Sequence, residues 1–197
     1  AQSGLPVPSE DAVAGIIGLS LENAFSALFP EHDQGVLTNT VHAYRTEALR
    51  LRAEANDPEA LFPGVRDMIA QLRTHGYSLG IATGKARRGV DHFCERFEMN
   101  GWFHTVQTPD TNPSKPHPGM IESAIAETGA HAHQTVMIGD TTFDIEMAQN
   151  AGVPGIGVAW GNHSPDALER AGACHIVETV DALPEVINRI MKEGAQK

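Results

Sequence analysis

The sequence predicts an α/β protein: a three-layer fold with a parallel sheet covered by helices on both faces, preceded by a small all-helical cap. Three observations carry this. From Leu61 onward, short apolar runs alternate with segments of helical periodicity, the pattern of strands joined by crossover helices. Residues 1 to about 58 show helical periodicity and no convincing strand. Two apolar runs, ending at Ala82 and at Ile138, stop abruptly in Thr83-Gly84 and in Gly139-Asp140. Strands that feed ligand-binding turns at the C-terminal edge of a parallel sheet end in this way.

The elements follow in order. Ser9-Glu10-Asp11 starts a short helix carrying Val13, Ile16 and Ile17. Ser20-Leu21-Glu22-Asn23 starts a second, with Ala24, Leu28 and Phe29 on its apolar side. In the third, Leu37, Val41, Tyr44, Ala48 and Leu51 recur at helical steps and form one face. Asn56-Asp57-Pro58 reads as the linker out of this subdomain, so the boundary falls between 1–58 and 59–197. Then come a helix at 65–74, a strand at 78–82, a helix at 87–97 and a strand at 103–107. Pro118 opens a helix to Thr128 as its first residue. A strand at 135–138, a helix at 142–151 and a strand at 155–159 follow. Ser164 caps and Pro165 begins a helix to Ala171. A strand at 175–177 and a helix at 182–191 end the pattern, which contains no internal repeat.

A chain of 197 residues accommodates one α/β core and a small subdomain. Its net charge of -11 argues against nucleic acid or an anionic membrane surface as partner. A local cationic site can still take a phosphorylated metabolite. Cys94 and Cys174 form no C-x-x-C motif and read as reduced, mostly buried thiols of a cytoplasmic protein. No apolar run approaches a membrane span, and no signal peptide is visible. His131-Ala132-His133 suggests a metal, but no third ligand accompanies it and the pair reads as solvent-facing. The composition does not indicate an oligomeric state.

Three segments carry chemistry. In Val136-Met137-Ile138-Gly139-Asp140-Thr141-Thr142-Phe143-Asp144, two carboxylates follow a strand at a spacing of four. Acids that close repel each other unless a cation lies between them, and oxygen ligands favour a hard ion, best Mg2+. The alternative is a capped helix, with Asp140 as N-cap and Asp144 as first-turn dipole partner. In Ile81-Ala82-Thr83-Gly84-Lys85 a hydroxyl stands at a strand end before the basic helix start Lys85-Ala86-Arg87-Arg88. Thr83 and Gly84 can hold a phosphate there, or Thr83 can cap the helix. Arg87 and Arg88 can guide an anion or simply face solvent. In Pro113-Ser114-Lys115-Pro116-His117-Pro118 two prolines stiffen the turn around Lys115 and pre-position its ammonium for a phosphate or a carboxylate. His117 in the same turn has a place near the rim but no assigned role.

The order of these motifs, with Phe62-Pro63-Gly64-Val65 opening a helix before the first of them, resembles the haloacid dehalogenase-like hydrolase superfamily. More narrowly it resembles the phosphoglycolate phosphatase-like branch. The resemblance spans essentially the whole chain and implies a Rossmann-like core with a helical cap. It also implies a Mg2+-dependent phosphatase working through an aspartyl-phosphate. Thr83 would hold the phosphoryl group, Lys115 would bridge it to the nucleophile, and Asp140 and Asp144 would form the metal motif. The family's nucleophile is the first aspartate of an Asp-x-Asp-Gly-Thr loop after the first strand, and this chain has no Asp-x-Asp. Beginning at Ala1-Gln2-Ser3-Gly4, it resembles the family from just past that loop and its following helix. It is therefore expected to be N-terminally incomplete and, as it stands, inactive.

Since the family's first strand lies centrally, the strands ending at Thr83 and Asp140 are expected to stand two strand spacings apart, unpaired. The cap contains no lysine, which argues against a phosphonate hydrolase forming an imine there. It offers Arg45, Arg50 and Arg52 as cations, Arg45 being a candidate substrate contact. A sugar-phosphate mutase of the β-phosphoglucomutase type is an alternative, as is a non-catalytic protein that keeps an anion site. Gly139-Asp140 argues against a dehalogenase, which typically has neutral residues there.

Overall fold

The computed structural model describes residues 4–54 and 60–194, excepting the side chains at 52–54. The expected linker Asn56-Asp57-Pro58 and the side chain of Arg52 lie outside the described residues. The helical part comprises α1 (Glu10–Ala14), α2 (Leu21–Leu28) and α3 (Gln34–Glu54). Ser9 and Ser20 cap α1 and α2, their hydroxyls accepting the amides of Ala12 and Asn23.

The first helix is shorter than its sequence suggests. It ends at Ala14, and Val13 and Ile17 are exposed. The apolar face expected along α3 is used only at its start. Leu37 and Val41 are buried against α2, whereas Tyr44 and Leu51 are about half exposed. The cause is length: an eight-residue helix covers about 12 Å of a partner of 21 residues. Tyr44 still meets Phe25 edge-on at 5.7 Å.

The remainder alternates as predicted: α4 (Val65–Thr74), β1 (Gly80–Ala82), α5 (Arg87–Arg96), β2 (Thr105–Gln107), α6 (Gly119–Thr128), β3 (Met137–Gly139), α7 (Thr142–Asn150), β4 (Gly155–Val158), α8 (Pro165–Arg170), β5 (His175–Val177) and α9 (Leu183–Gly194). Pro118 stands one place before α6, while Ser164 caps α8 and Pro165 begins it. The strands are parallel, and β1 to β4 are shorter than the apolar runs that encode them. Consecutive residues of β3 serve opposite layers, as pleating requires. Met137 packs with Met120, Ile121 and Met147 of α6 and α7. Ile138 packs with Leu72, Leu183 and Ile187 of α4 and α9. This is the three-layer α/β arrangement the alternating pattern predicts. Of the two cysteines, Cys94 is buried as expected but Cys174 is exposed, because it precedes the outer strand β5.

The strands form two groups, β1–β2 and β3–β4–β5, and β1 does not pair with β3. Between their facing edges lies an apolar cleft of about 680 Å3. Gly80, Ile81 and Ala82 border one side, and Val136, Met137 and Ile138 the other. Leu72 and Ile187 line it from one helical layer, Ile121 and Ile125 from the other. That β1 and β3 do not pair agrees with the expectation for these two strands.

Candidate active site

The turn after β3 is organised around Asp144. Thr141, not Asp140, is the N-cap of α7. The Thr141 amide donates to Asp144 Oδ2 at 3.1 Å and the Thr141 hydroxyl donates to the same oxygen at 2.7 Å. The backbone amide of Asp144 in turn donates to the Thr141 carbonyl at 3.1 Å. This is the closed first turn of a capping box. Gly139 has no alternative: a Cβ there would lie 2.2 Å from Asp144 Cβ. The capped-helix reading thus holds for Asp144 and fails for Asp140.

Lys115 completes the shell of Asp144. Its Nζ donates to Asp144 Oδ1 at 2.5 Å, and both side chains are more than nine-tenths buried. A buried pair of this kind is held by its surroundings, since desolvation offsets much of the attraction. Here the surroundings are explicit. Asn150 Nδ2 donates to the Pro116 carbonyl at 2.9 Å, and Ser114 Oγ accepts the Ser20 amide at 2.9 Å. The stiff loop read from the prolines is therefore anchored from α7 on one side and from the entrance of the cap on the other.

Thr83 follows β1, its amide donating to the Gln107 carbonyl at 3.1 Å. Its hydroxyl oxygen accepts the Lys85 amide at 3.2 Å and does not cap α5, whose N-cap is Ala86. Among the described residues the Thr83 O–H donates to no acceptor. Arg87 is exposed and pairs with Asp91 at 2.9 Å; that bond raises its pKa above the ordinary guanidinium value.

The segment Gly18–Ser20 ties these pieces together, and the sequence reading missed it. Gly18 has φ +105, and a Cβ on it would lie 2.8 Å from Thr141 Oγ1. A Cβ on Gly84 would lie 2.4 Å from the Leu19 carbonyl oxygen. With the Ser20–Ser114 bond, three consecutive residues touch the neighbours of Thr83, Lys115 and Asp140. The β1 end, the Lys115 loop and the β3 turn thus meet at one edge of the fold. The only advance signal was a glycine just before a helix cap.

The turn after β4 was also missed. A Cβ on Gly161 would lie 2.0 Å from Asp140 Cβ. Asn162 donates both its backbone amide, at 2.9 Å, and its Nδ2, at 2.5 Å, to Asp140 Oδ2. The amide of His163 donates to the Asp140 carbonyl at 3.0 Å, and His163 Nδ1 accepts the Thr142 amide at 3.1 Å. Asp140 Oδ1 has no hydrogen bond among the described residues. It is also not buried, since the sole orphaned buried side-chain atom among them is His163 Nε2.

Arg45 is not brought to this edge by any described contact. It pairs with Glu22 at 2.6 Å between α2 and α3, and Arg50 pairs with Glu47 at 2.5 Å along α3. His131 and His133 stack on each other at 5.4 Å, and no metal-ligand group of three or more His, Cys, Asp or Glu occurs among the described residues. The donors at the site still suit Mg2+, which keeps several waters and needs only one or two carboxylates besides a substrate phosphate. Asp140 Oδ1 is the open oxygen, whereas both oxygens of Asp144 are engaged.

A three-layer parallel α/β core preceded by helices thus presents a buried lysine–aspartate pair and an open carboxylate at strand ends. The sequence profile of the haloacid dehalogenase-like hydrolases matches residues 1–158, and the chain belongs to that family. It is 36% identical over 194 residues to a protein of Dickeya dadantii named "Probable phosphatase IndB", covering 95% of this chain and 83% of that protein. It is 29% identical over 133 residues to the phosphoglycolate phosphatase of Synechococcus elongatus, covering 68% of this chain and 62% of that one. The crystal structure of a phosphonoacetaldehyde hydrolase-like protein from Oleispira antarctica superposes with a TM-score of 0.83 at 17% identity, covering 99% and 84% of the two chains, a likeness of fold alone.

Proposed function

We propose that this sheet edge is the site of a Mg2+-dependent phosphatase acting on a small phosphorylated metabolite, with phosphoglycolate the first candidate. The observation that carries the reading is the buried Lys115–Asp144 pair, fixed beside the ends of β1 and β3. A lysine held this firmly places one positive charge where a phosphoryl group would arrive, without reorganisation at the moment of reaction. Thr83 donates its hydroxyl to a phosphoryl oxygen, with Gly84 beside it at the same strand end. Asp144 acts through Lys115, holding the ammonium in place. Asp140 presents Oδ1 to the cation. Mg2+, when bound, supplies charge neutralisation on the transferring oxygens.

The transfer itself proceeds to an aspartate and then to water, as in covalent catalysis by a carboxylate. No residue of this sequence lies in an Asp-x-Asp. The apolar cleft between β1 and β3 supports a route for it: a strand seated there would pair with both facing edges and end beside Lys115. The helices before residue 55 would exclude water if they closed over the edge during reaction. No described helix is long and apolar enough to cross a membrane.

A second reading is a non-catalytic protein that keeps the anion site. The mutase reading has less support, because Arg45 and Arg50 are committed to ion pairs within the cap. A phosphate-release screen of the full-length gene product separates these. It would use phosphoglycolate, pyrophosphate and sugar phosphates, with Mg2+ or with EDTA. Turnover on a monoester that disappears with EDTA and with Asp140→Asn is the expected result. Phosphate binding without turnover on any compound supports the non-catalytic reading.

A further inference from the structure

Asp140 is the one carboxylate of the site with an oxygen left open, and its orientation is fixed from outside its own loop. The turn Gly161-Asn162-His163 after β4 contacts it at three points. Gly161 leaves room for the Asp140 side chain, where any Cβ would overlap it. Asn162 places two N–H donors on Oδ2 and none on Oδ1. His163 holds the Asp140 carbonyl and, through Nδ1, the first amide of α7. Two donors on one oxygen fix the carboxylate's rotation about its terminal bond. They also neutralise part of the charge on the oxygen that faces the protein.

We infer that Asn162 is a positioning residue, setting the rotation of the Asp140 carboxylate so that Oδ1 alone faces a cation. The inference rests on the reading of Asp140 as the metal-holding acid. Hydrogen-bond partners behind a ligand orient it and raise its affinity, and losing one typically weakens metal binding by roughly 10- to 100-fold. The role is asymmetric: the backbone amide of residue 162 persists in every variant, so the side-chain amide alone is tested. Since Asn162 is exposed, its side chain contributes little to packing.

The test is a titration of the full-length protein with Mn2+ as the probe, followed by electron paramagnetic resonance of the free ion, with Mg2+ competition. Thermal melting of each variant is recorded alongside. Asn162→Ala and the nearly isosteric Asn162→Leu are each expected to weaken Mn2+ roughly 10-fold or more while the melting temperature stays at the parent value. Asn162→Ser, which keeps a shorter donor, should recover part of that loss. Parent-level affinity in both Asn162→Ala and Asn162→Leu, with Asp140→Asn abolishing binding, overturns the inference and leaves the reading of Asp140 intact. Parent-level affinity in Asp140→Asn overturns both. A loss of affinity in the alanine and leucine variants that tracks a lowered melting temperature, with no recovery in the serine variant, assigns Asn162 a structural role and overturns the inference.

Discussion

At the scale of single residues, the Lys115–Asp144 pair is the most constrained feature of the site. Removing one partner leaves the other charge buried and unmatched, at a cost of about 3–5 kcal/mol. Lys115→Ala is therefore expected to lower unfolding stability by about that amount in urea denaturation. Adding Asp144→Ala on top should cost much less than the sum of the singles. An additive double mutant would show that the two charges do not interact. The cysteines give a second test. Burial pushes both thiols above the ordinary value, so neither is an activated nucleophile, but only Cys174 is reachable. Iodoacetamide should label Cys174 slowly in the native protein and Cys94 only after unfolding. Residue identity alone left much unsettled at this scale. Thr83 and Asp140 stand out in the sequence at strand ends, Lys115 in a stiffened loop and Asp144 in the first turn of the next helix. Asn162 was not, because its partner is 22 positions away and a Gly-Asn turn after a strand is common.

At the scale of elements, the start of α3 carries its packing. Leu37 and Val41 are almost fully buried, and alanine at either should cost about 2–4 kcal/mol for leucine and somewhat less for valine. The same change at Leu51, which is half exposed, should stay within about 0.5 kcal/mol. Thermal melts of the three variants check the contrast. The five apolar residues of this helix recur at helical steps, but periodicity cannot say how much of a stripe a neighbour covers. The short α2 decides that. Strand type and order were legible from apolar runs and their punctuation. Strand length was not, because a run such as Ser78–Ala82 forms ladder only where a neighbouring edge is present to pair with it.

At the scale of the whole molecule, the two strand groups are joined by helical layers that pack across both. An acid-side test exists on the β2–α6 side. Thr105 Oγ1 donates to Glu127 Oε2 at 2.5 Å, and this bond, with a contribution from Gln107, lowers the Glu127 pKa. A depressed carboxylate stabilises the fold above its unfolded value, near 4.3, and loses that contribution as pH falls through the lower folded value. The urea midpoint of the parent should therefore exceed that of Glu127→Gln at neutral pH, and the gap should close below about pH 4. A gap that widens with acid would reverse the assignment.

We propose that this edge supports phosphoryl transfer to an aspartate on a strand seated between β1 and β3. The most direct test is phosphate release from phosphoglycolate in Mg2+. Residues 1–197 alone would be compared with the same residues fused behind a five-residue apolar strand ending in Asp-x-Asp-Gly-Thr. Background release is expected from the first. Mg2+-dependent turnover, lost on Lys115→Ala, is expected from the second. Equal turnover by residues 1–197 alone would contradict this proposal.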